Sequence, residues 1–86
     1  MKHAGAVALS QIEPLLVRLR ALPSLKEKSP GCFYFKSRGF LHFHEDPKGM
    51  FADIRATDGN DFERLQVDDP STWNALIETA AARSNK

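Results

Sequence analysis

This sequence has little cysteine, no long apolar run and almost no excess of either charge. Its 86 residues include a single cysteine, Cys32, which excludes an intramolecular disulfide and predicts a reducing, cytoplasmic location. No apolar stretch approaches the roughly 20 residues of a membrane-spanning helix, and polar residues interrupt the Ala/Val/Leu run near the N-terminus before it reaches signal-peptide length. We therefore expect a soluble protein with no membrane partner.

The near balance of charge excludes a strong overall electrostatic field. Twelve basic and eleven acidic side chains leave a net charge of +1, so binding to a polyanion would need a local basic patch. A chain of this length has room for one domain, residues 1–86, and buries only about 60% of its unfolded surface. Residues 1–9 and 84–86 carry little pattern and are predicted to be flexible.

An amphipathic helix is predicted near the N-terminus. Ser10 and Glu13 match a capping box, Pro14 is tolerated in a first turn, and Pro23 ends the helix. The apolar stripe consists of Ile12, Leu15, Leu16, Leu19 and Leu22. The following stretch "PSLKEKSPG" is interpreted as a polar connection.

Four strands and a second helix account for the rest of the chain. "CFYFK", "FLHFHE", "MFADIRA" and "DFERLQV" are short aromatic and branched runs whose connections are long enough only for hairpins. Asp69 then suits a helix N-cap and Pro70 a first helical residue, ahead of an apolar stripe of Trp73, Leu76, Ile77 and Ala80. The sequence predicts a two-layer α+β domain, an α-β-β-β-β-α antiparallel meander with both helices on one face.

The turn residues predict the register of the sheet. A three-residue "SRG" loop with a left-handed Gly39, a "DPKG" loop and an Asp58-Gly59 turn pair Lys36 with Phe40, Glu45 with Met50 and Thr57 with Asn60. The face toward the helices then holds Phe33, Phe35, Leu41, Phe43, Met50, Ala52, Ile54, Leu65 and Val67. The opposite side, which we call the open face, holds three rows: Cys32–His44–Phe51–Gln66, Tyr34–His42–Asp53–Arg64 and Lys36–Phe40–Arg55–Phe62.

The open face raises a metal hypothesis. His42 and His44 lie about 7 Å apart along one strand, and Cys32 and Asp53 project from neighbouring strands on the same side. Zinc or another divalent transition metal accepts such a mixture of ligands. However, Arg64 stands beside Asp53 and competes for its carboxylate.

A catalytic hypothesis uses the same residue types. Cys32 would be the nucleophile, His44 its base and Asp53 the group that orients the base. The predicted register places Asp53 opposite His42 instead, and no loop is placed to stabilise an oxyanion. We therefore expect a non-enzymatic protein.

A binding hypothesis uses the aromatic and cationic side chains of the open face. Such a face binds single-stranded nucleic acid in several proteins, and it also suits a homodimer or another protein partner. We expect a binding or interaction domain that self-associates through Tyr34, Phe40, His42, His44, Phe51, Asp53, Arg55, Phe62 and Arg64. The structural alternative is that Tyr34, His42 and Asp53 form only a hydrogen-bonded row across the strands.

The order helix, "LPSL", "GCFYFKSRGFL" and "MFADIR" resembles the start of the YjbR/MmcQ-like proteins. The strand pair around His42 and His44 is also similar to bacterial proteins with a luciferase-domain description. Both resemblances stay within residues 19–55. They imply a small bacterial α+β domain, and for the first family DNA binding has been suggested on grounds of fold.

Overall fold

One strand precedes two short N-terminal helices, five strands follow them, and a third helix lies near the C-terminal end of the described chain. The computed structural model describes residues 2–84, with the backbone alone of Lys2. The strands are β1 Lys2–His3, β2 Leu25–Ser29, β3 Cys32–Phe35, β4 Arg38–Asp46, β5 Gly49–Arg55 and β6 Phe62–Gln66. The helices are α1 Ala6–Gln11, α2 Glu13–Arg20 and α3 Trp73–Arg83, and a 3-10 turn at Pro70–Thr72 leads into α3.

The antiparallel sheet has more strands than the sequence predicted. Strands β2 to β6 lie in chain order, and β1 pairs with β4 beyond the point where β3 ends. The α+β class and the antiparallel sheet are confirmed, but the four-stranded meander lacks β1 and β2. Within residues 2–84, no helix is long and apolar enough to cross a membrane.

Strand β2 forms within the stretch predicted to be a polar connection, because its residues do not alternate between apolar and polar. Glu27 points toward the helices, where it accepts a hydrogen bond of 2.6 Å from Arg20 Nε and one of 2.9 Å from the Gly31 amide. Lysines on either side of Glu27 suit an edge strand, since charge discourages pairing with another chain. The signal that could have revealed the hairpin was Pro30-Gly31, a type II turn sequence, and Gly31 has a φ of 76°.

The described chain ends carry regular structure. Residues 2–9 include β1 and most of α1, and Ser84 is buried at the end of α3. The other positions predicted to be flexible, 1, 85 and 86, lie outside the described residues.

The N-terminal helix is two helices, and the predicted capping box does not form. Ile12 leaves helical geometry between α1 and α2, with Pro14 in the first turn of α2, and the Ser10 hydroxyl donates to the Val7 carbonyl. A proline lacks the N–H that would continue the first helix, which explains the break. Near the C-terminus, Asp69 caps the 3-10 turn that leads into α3, accepting from the Ser71 amide, whereas the N-cap position of α3 itself is Thr72.

The predicted core face is confirmed. Phe33, Leu41, Phe43, Met50, Ala52, Ile54 and Val67 are buried, and Phe35 and Leu65 pack partly buried against them. The helices contribute Leu9, Ile12, Leu15, Leu16, Leu19, Trp73, Leu76 and Ala80 to the same cluster. The opposite side of the sheet is therefore the one available for function.

The β3–β4 hairpin differs from the prediction and changes one member of the open face. Its turn is formed by Lys36 and Ser37, with φ values of 52° and 69°, while Gly39 is not left-handed. Cys32 consequently pairs with His42, not His44, and Tyr34 pairs with Gly39, not His42. A bulge between these pairs leaves Phe40 buried in the core with 4% of its surface exposed, so Phe40 is not part of the open face.

The other two hairpins have the predicted register. Glu45 pairs with Met50, and the β5–β6 ladder includes Asp53 with Arg64 and Arg55 with Phe62. The loop before β6 is wider than a two-residue turn, because Ala56 N donates to Asp61 O and Gly59 N to Ala56 O. The predicted turn and the observed loop both have an even number of residues, so each side chain of β6 lies on the predicted face of the sheet.

Candidate functional site

Two histidines and one aspartate converge on the open face. Pleating places His42 and His44 on the same side of β4, and antiparallel pairing puts Asp53 of β5 directly opposite His42. His44 Nδ1 lies 3.0 Å and His42 Nε2 3.8 Å from Asp53 Oδ2. One potential ligand atom from each of the three residues falls within 4.8 Å of the others.

A third histidine, which sequence reasoning missed, completes the cluster. Strand β1 pairs His3 with His44, and the His3 ring centroid lies 4.8 Å from that of His44 and 5.6 Å from that of His42. A two-residue strand has no periodicity by which to predict it. The only cue in the sequence was that His3 is the one other histidine. We call His3, His42, His44 and Asp53 the histidine cluster.

Asp53 is the buried anion of the histidine cluster. It is 6% exposed and accepts two hydrogen bonds from Arg64, 2.8 Å from Nε to Oδ1 and 3.0 Å from Nη2 to Oδ2. These bonds are the largest cause that lowers the pKa of Asp53, although burial opposes them. The carboxylate is therefore ionised at neutral pH, and each oxygen keeps a second lone pair for another partner.

The pKa of His42 is lowered. Burial of the imidazole is the largest cause, and the neighbouring imidazole of His44 adds to it. The Asp53 carboxylate pulls in the opposite direction but does not compensate. A neutral imidazole at pH 7 follows, and this is the form that binds metal.

His44 carries the least satisfied polar atom of the described chain. Its Nδ1 is buried and makes no hydrogen bond within residues 2–84, even though Asp53 Oδ2 is only 3.0 Å away. Contact without hydrogen-bond geometry means that the nitrogen and the oxygen approach each other without a proton directed between them. Buried polar atoms normally have a hydrogen-bond partner. A nitrogen and an oxygen that face each other without a hydrogen bond therefore suit a cation bound by both atoms.

The remaining predicted site residues surround the histidine cluster. The Phe62 ring stands edge-on to His42, with centroids 5.1 Å apart, and is covered by the Arg55 guanidinium at 4.6 Å. Arg64 likewise lies over Phe51 at 5.8 Å. Tyr34 is farther along the sheet, under Lys28 Nζ at 4.7 Å. Most aromatic surface predicted for binding is thus partly covered by the protein's own cations.

Cys32 lies next to His42 in the sheet but outside the converging ligand atoms of His42, His44 and Asp53. The catalytic hypothesis needed Cys32 beside His44, and the observed register does not pair them. It also needed Asp53 to orient His44; the predicted register placed Asp53 opposite His42 instead, whereas in the structure Asp53 lies within 4 Å of both imidazoles. The chemistry that this geometry offers is ligation by two imidazoles and a carboxylate.

Comparison with protein-family models, with curated proteins and with solved structures finds no match for this chain. The resemblance to YjbR/MmcQ-like and luciferase-domain proteins therefore stays a prediction. Function has to be argued from the residues themselves.

Proposed function

We propose that this protein is a non-enzymatic metal-binding domain in which His42, His44 and Asp53 hold a divalent transition metal. The observation that carries the proposal is the buried His44 Nδ1, which has no hydrogen bond and faces Asp53 Oδ2 at 3.0 Å. Ligand atoms on a tetrahedral zinc ion lie about 3.3 Å apart, given bonds of about 2.0–2.1 Å. The two nitrogen-to-oxygen separations, 3.0 and 3.8 Å, bracket that value, and all three ligand atoms lie within 4.8 Å of one another.

The donor set also favours zinc or a neighbouring metal over calcium or magnesium. Imidazole nitrogens suit zinc, copper, iron and nickel, whereas calcium and magnesium prefer oxygen. His3 adds an exposed third imidazole beside that of His44, although its nitrogens are not among the converging ligand atoms. The lone cysteine supports a reducing compartment, and we place the protein in the cytoplasm on that ground.

Arg64 does not exclude a metal, although it opposes one. Its two hydrogen bonds use one lone pair on each Asp53 oxygen, which leaves Oδ2 able to bind a cation. The same bonds fix the direction of the carboxylate, as partners of metal-binding carboxylates commonly do. The guanidinium charge weakens the affinity and favours a site that releases its metal readily.

Zinc titration of the protein, followed by imidazole resonances and by calorimetry, tests the proposal. We expect shifts at His42 and His44 and a loss of affinity greater than about 100-fold in His44→Asn, since even residues behind the ligands contribute 10- to 100-fold. Cys32→Ser is the matched control, because Cys32 neighbours His42 without joining the converging atoms.

Thermal unfolding supplies a second readout. Metal at 100 times its dissociation constant adds about 2.7 kcal/mol, which corresponds to roughly 10–20 °C in a domain of this size. Imidazole resonances indifferent to zinc, cobalt and nickel, or an equal loss of affinity in Cys32→Ser, would rule the site out.

Self-association is the second candidate, and Phe62 supports it. This side chain is 39% exposed on β6, the last strand of the sheet, where backbone groups on the outer side can pair with another chain. We expect Phe62→Glu to be monomeric in light scattering if wild type is a dimer. Asn60→Glu, in the adjacent loop, adds the same charge as a control and should leave the mass unchanged. A wild-type monomer at high concentration would end this candidate.

A further inference from the structure

A second site lies at the end of the sheet, between the β3–β4 turn, the β5–β6 loop and the end of α3. A cleft of about 270 Å³ opens there, close to the lower end of the range for small-molecule sites. It shares no lining residue with the histidine cluster. Its walls include the rings of Phe35 and Phe40, which meet edge to face at 5.8 Å, and four cationic side chains: Lys36, Arg38, Arg55 and Arg83.

The positive charge of this cleft is largely uncompensated. Arg55 donates from Nε to Gly39 O at 2.7 Å and from Nη1 to Gly59 O at 2.8 Å, and Arg38 Nη2 donates to Gly59 O at 3.1 Å. Carbonyl oxygens hold these guanidinium groups in place without neutralising them. Within residues 2–84, Arg38, Arg55 and Lys36 form no ion pair.

Only one of the four cations has a carboxylate partner. Arg83 pairs with Glu63 at 2.6 Å and also donates to the Arg55 carbonyl at 3.0 Å. Asp58 is the single carboxylate among the lining residues. In a chain with a net charge of +1, this cleft therefore concentrates positive charge above an apolar floor.

The turn at the rim of the cleft keeps a lysine where another residue would be less strained. Lys36 and Ser37 both adopt left-handed backbone angles, which Asn and Gly accept far more easily in a two-residue hairpin. Strain of this kind persists at places where a side chain is needed for a ligand. Lys36 lines the cleft, whereas Ser37 does not.

We propose that this cleft binds the phosphate group of a ligand whose apolar part rests on the partly exposed Phe35 ring, which packs against the buried Phe40. Fixed guanidinium groups recognise phosphate oxygens by paired hydrogen bonds, and a lysine adds a mobile charge. The group can belong to a small phosphorylated molecule or to the backbone of a single-stranded nucleic acid. The proposal is independent of the metal site.

Amide and arginine Nε correlation spectra test the proposal when inorganic phosphate, pyrophosphate or a short single-stranded oligonucleotide is added at constant ionic strength. We expect shifts concentrated in residues 36–40 and 56–59, larger than those produced by chloride. Pyrophosphate binding alone identifies a small ligand. Oligonucleotide binding that weakens steeply with salt identifies a nucleic acid.

Paired variants separate recognition from folding. Lys36→Asn suits the turn and so preserves the fold, yet it should weaken phosphate binding about tenfold, as should Arg38→Gln. Ser37→Gly, which changes the same turn, and Lys26→Gln, which removes a charge elsewhere on the sheet, should bind like wild type. Shifts no larger than with chloride, or equal losses in Lys26→Gln, would overturn the proposal.

Discussion

Glycine substitution in the β3–β4 hairpin tests the register that buries Phe40 in the core and pairs Cys32 with His42. Ser37 has a φ of 69°, a conformation that costs a residue with a side chain about 1–2 kcal/mol. Ser37→Gly removes this strain but increases the freedom of the unfolded chain, which costs about 0.5–1 kcal/mol. We expect a net stabilisation of about 0.5–1 kcal/mol.

The companion change, Gly39→Ala, gives opposite results for the two possible turns. In the structure, Gly39 is not left-handed, and a Cβ added there meets no atom within 4 Å. Alanine should therefore be neutral or stabilise by up to about 1 kcal/mol, through the unfolded state. A three-residue loop with a left-handed Gly39 would instead make alanine destabilising by about 1 kcal/mol or more.

Urea and thermal unfolding of the two variants measure these differences. A gain of 1 kcal/mol raises the midpoint temperature by about 4–8 °C in a domain of 60–100 residues. If Gly39→Ala lowers the midpoint and Ser37→Gly does not raise it, the two-residue turn is refuted. Phe40 would then return to the open face, and Cys32 would pair with His44.

Two further predictions concern the contacts that hold β2 and α3 in place. Burial raises the pKa of Glu27, but hydrogen bonds from Arg20 and from the Gly31 amide outweigh it, so the net pKa is lowered. Glu27 should stabilise the fold above its unfolded pKa of about 4.3 and lose this contribution as the pH falls through the folded value. Denaturation midpoints of Glu27→Gln should accordingly decline less in acid than those of wild type; an identical decline would contradict this. Trp73 Nε1 donates to the buried Val67 carbonyl at 2.9 Å, so Trp73→Phe should cost about 1–3 kcal/mol in urea unfolding, and an unchanged midpoint would show that the bond contributes nothing.

Turn chemistry determined how much of the sheet could be predicted. The β4–β5 and β5–β6 registers followed from loops whose residues favour an even number of loop residues, so the pairing of Asp53 with His42 and with Arg64 was predictable. The β3–β4 register was not. Its turn uses Lys36 and Ser37, two residue types that disfavour left-handed angles, while a nearby glycine offered a more conventional choice.

The polar strands β1 and β2 explain the other differences between the predicted and the observed sheet. The face of β2 toward the helices carries Glu27, an ion-pair partner of Arg20, so the alternation that identifies a half-buried strand is absent. Strand β1 is only two residues long. His3 therefore could not be assigned to the site by any local pattern, because its place depends on tertiary pairing with His44.

The pairing of β1 with β4 also bears on how fast the native state forms and decays. The Gly5 amide donates to Glu45 Oε2 at 2.7 Å across forty positions, beside the strand pair that brings His3 to His44. Contacts that close so long a loop are costly to form early, so we expect them to form after the rate-limiting step. Stabilising the pairing of β1 with β4 would then leave the refolding rate nearly unchanged and slow unfolding, which lengthens the lifetime of the native state.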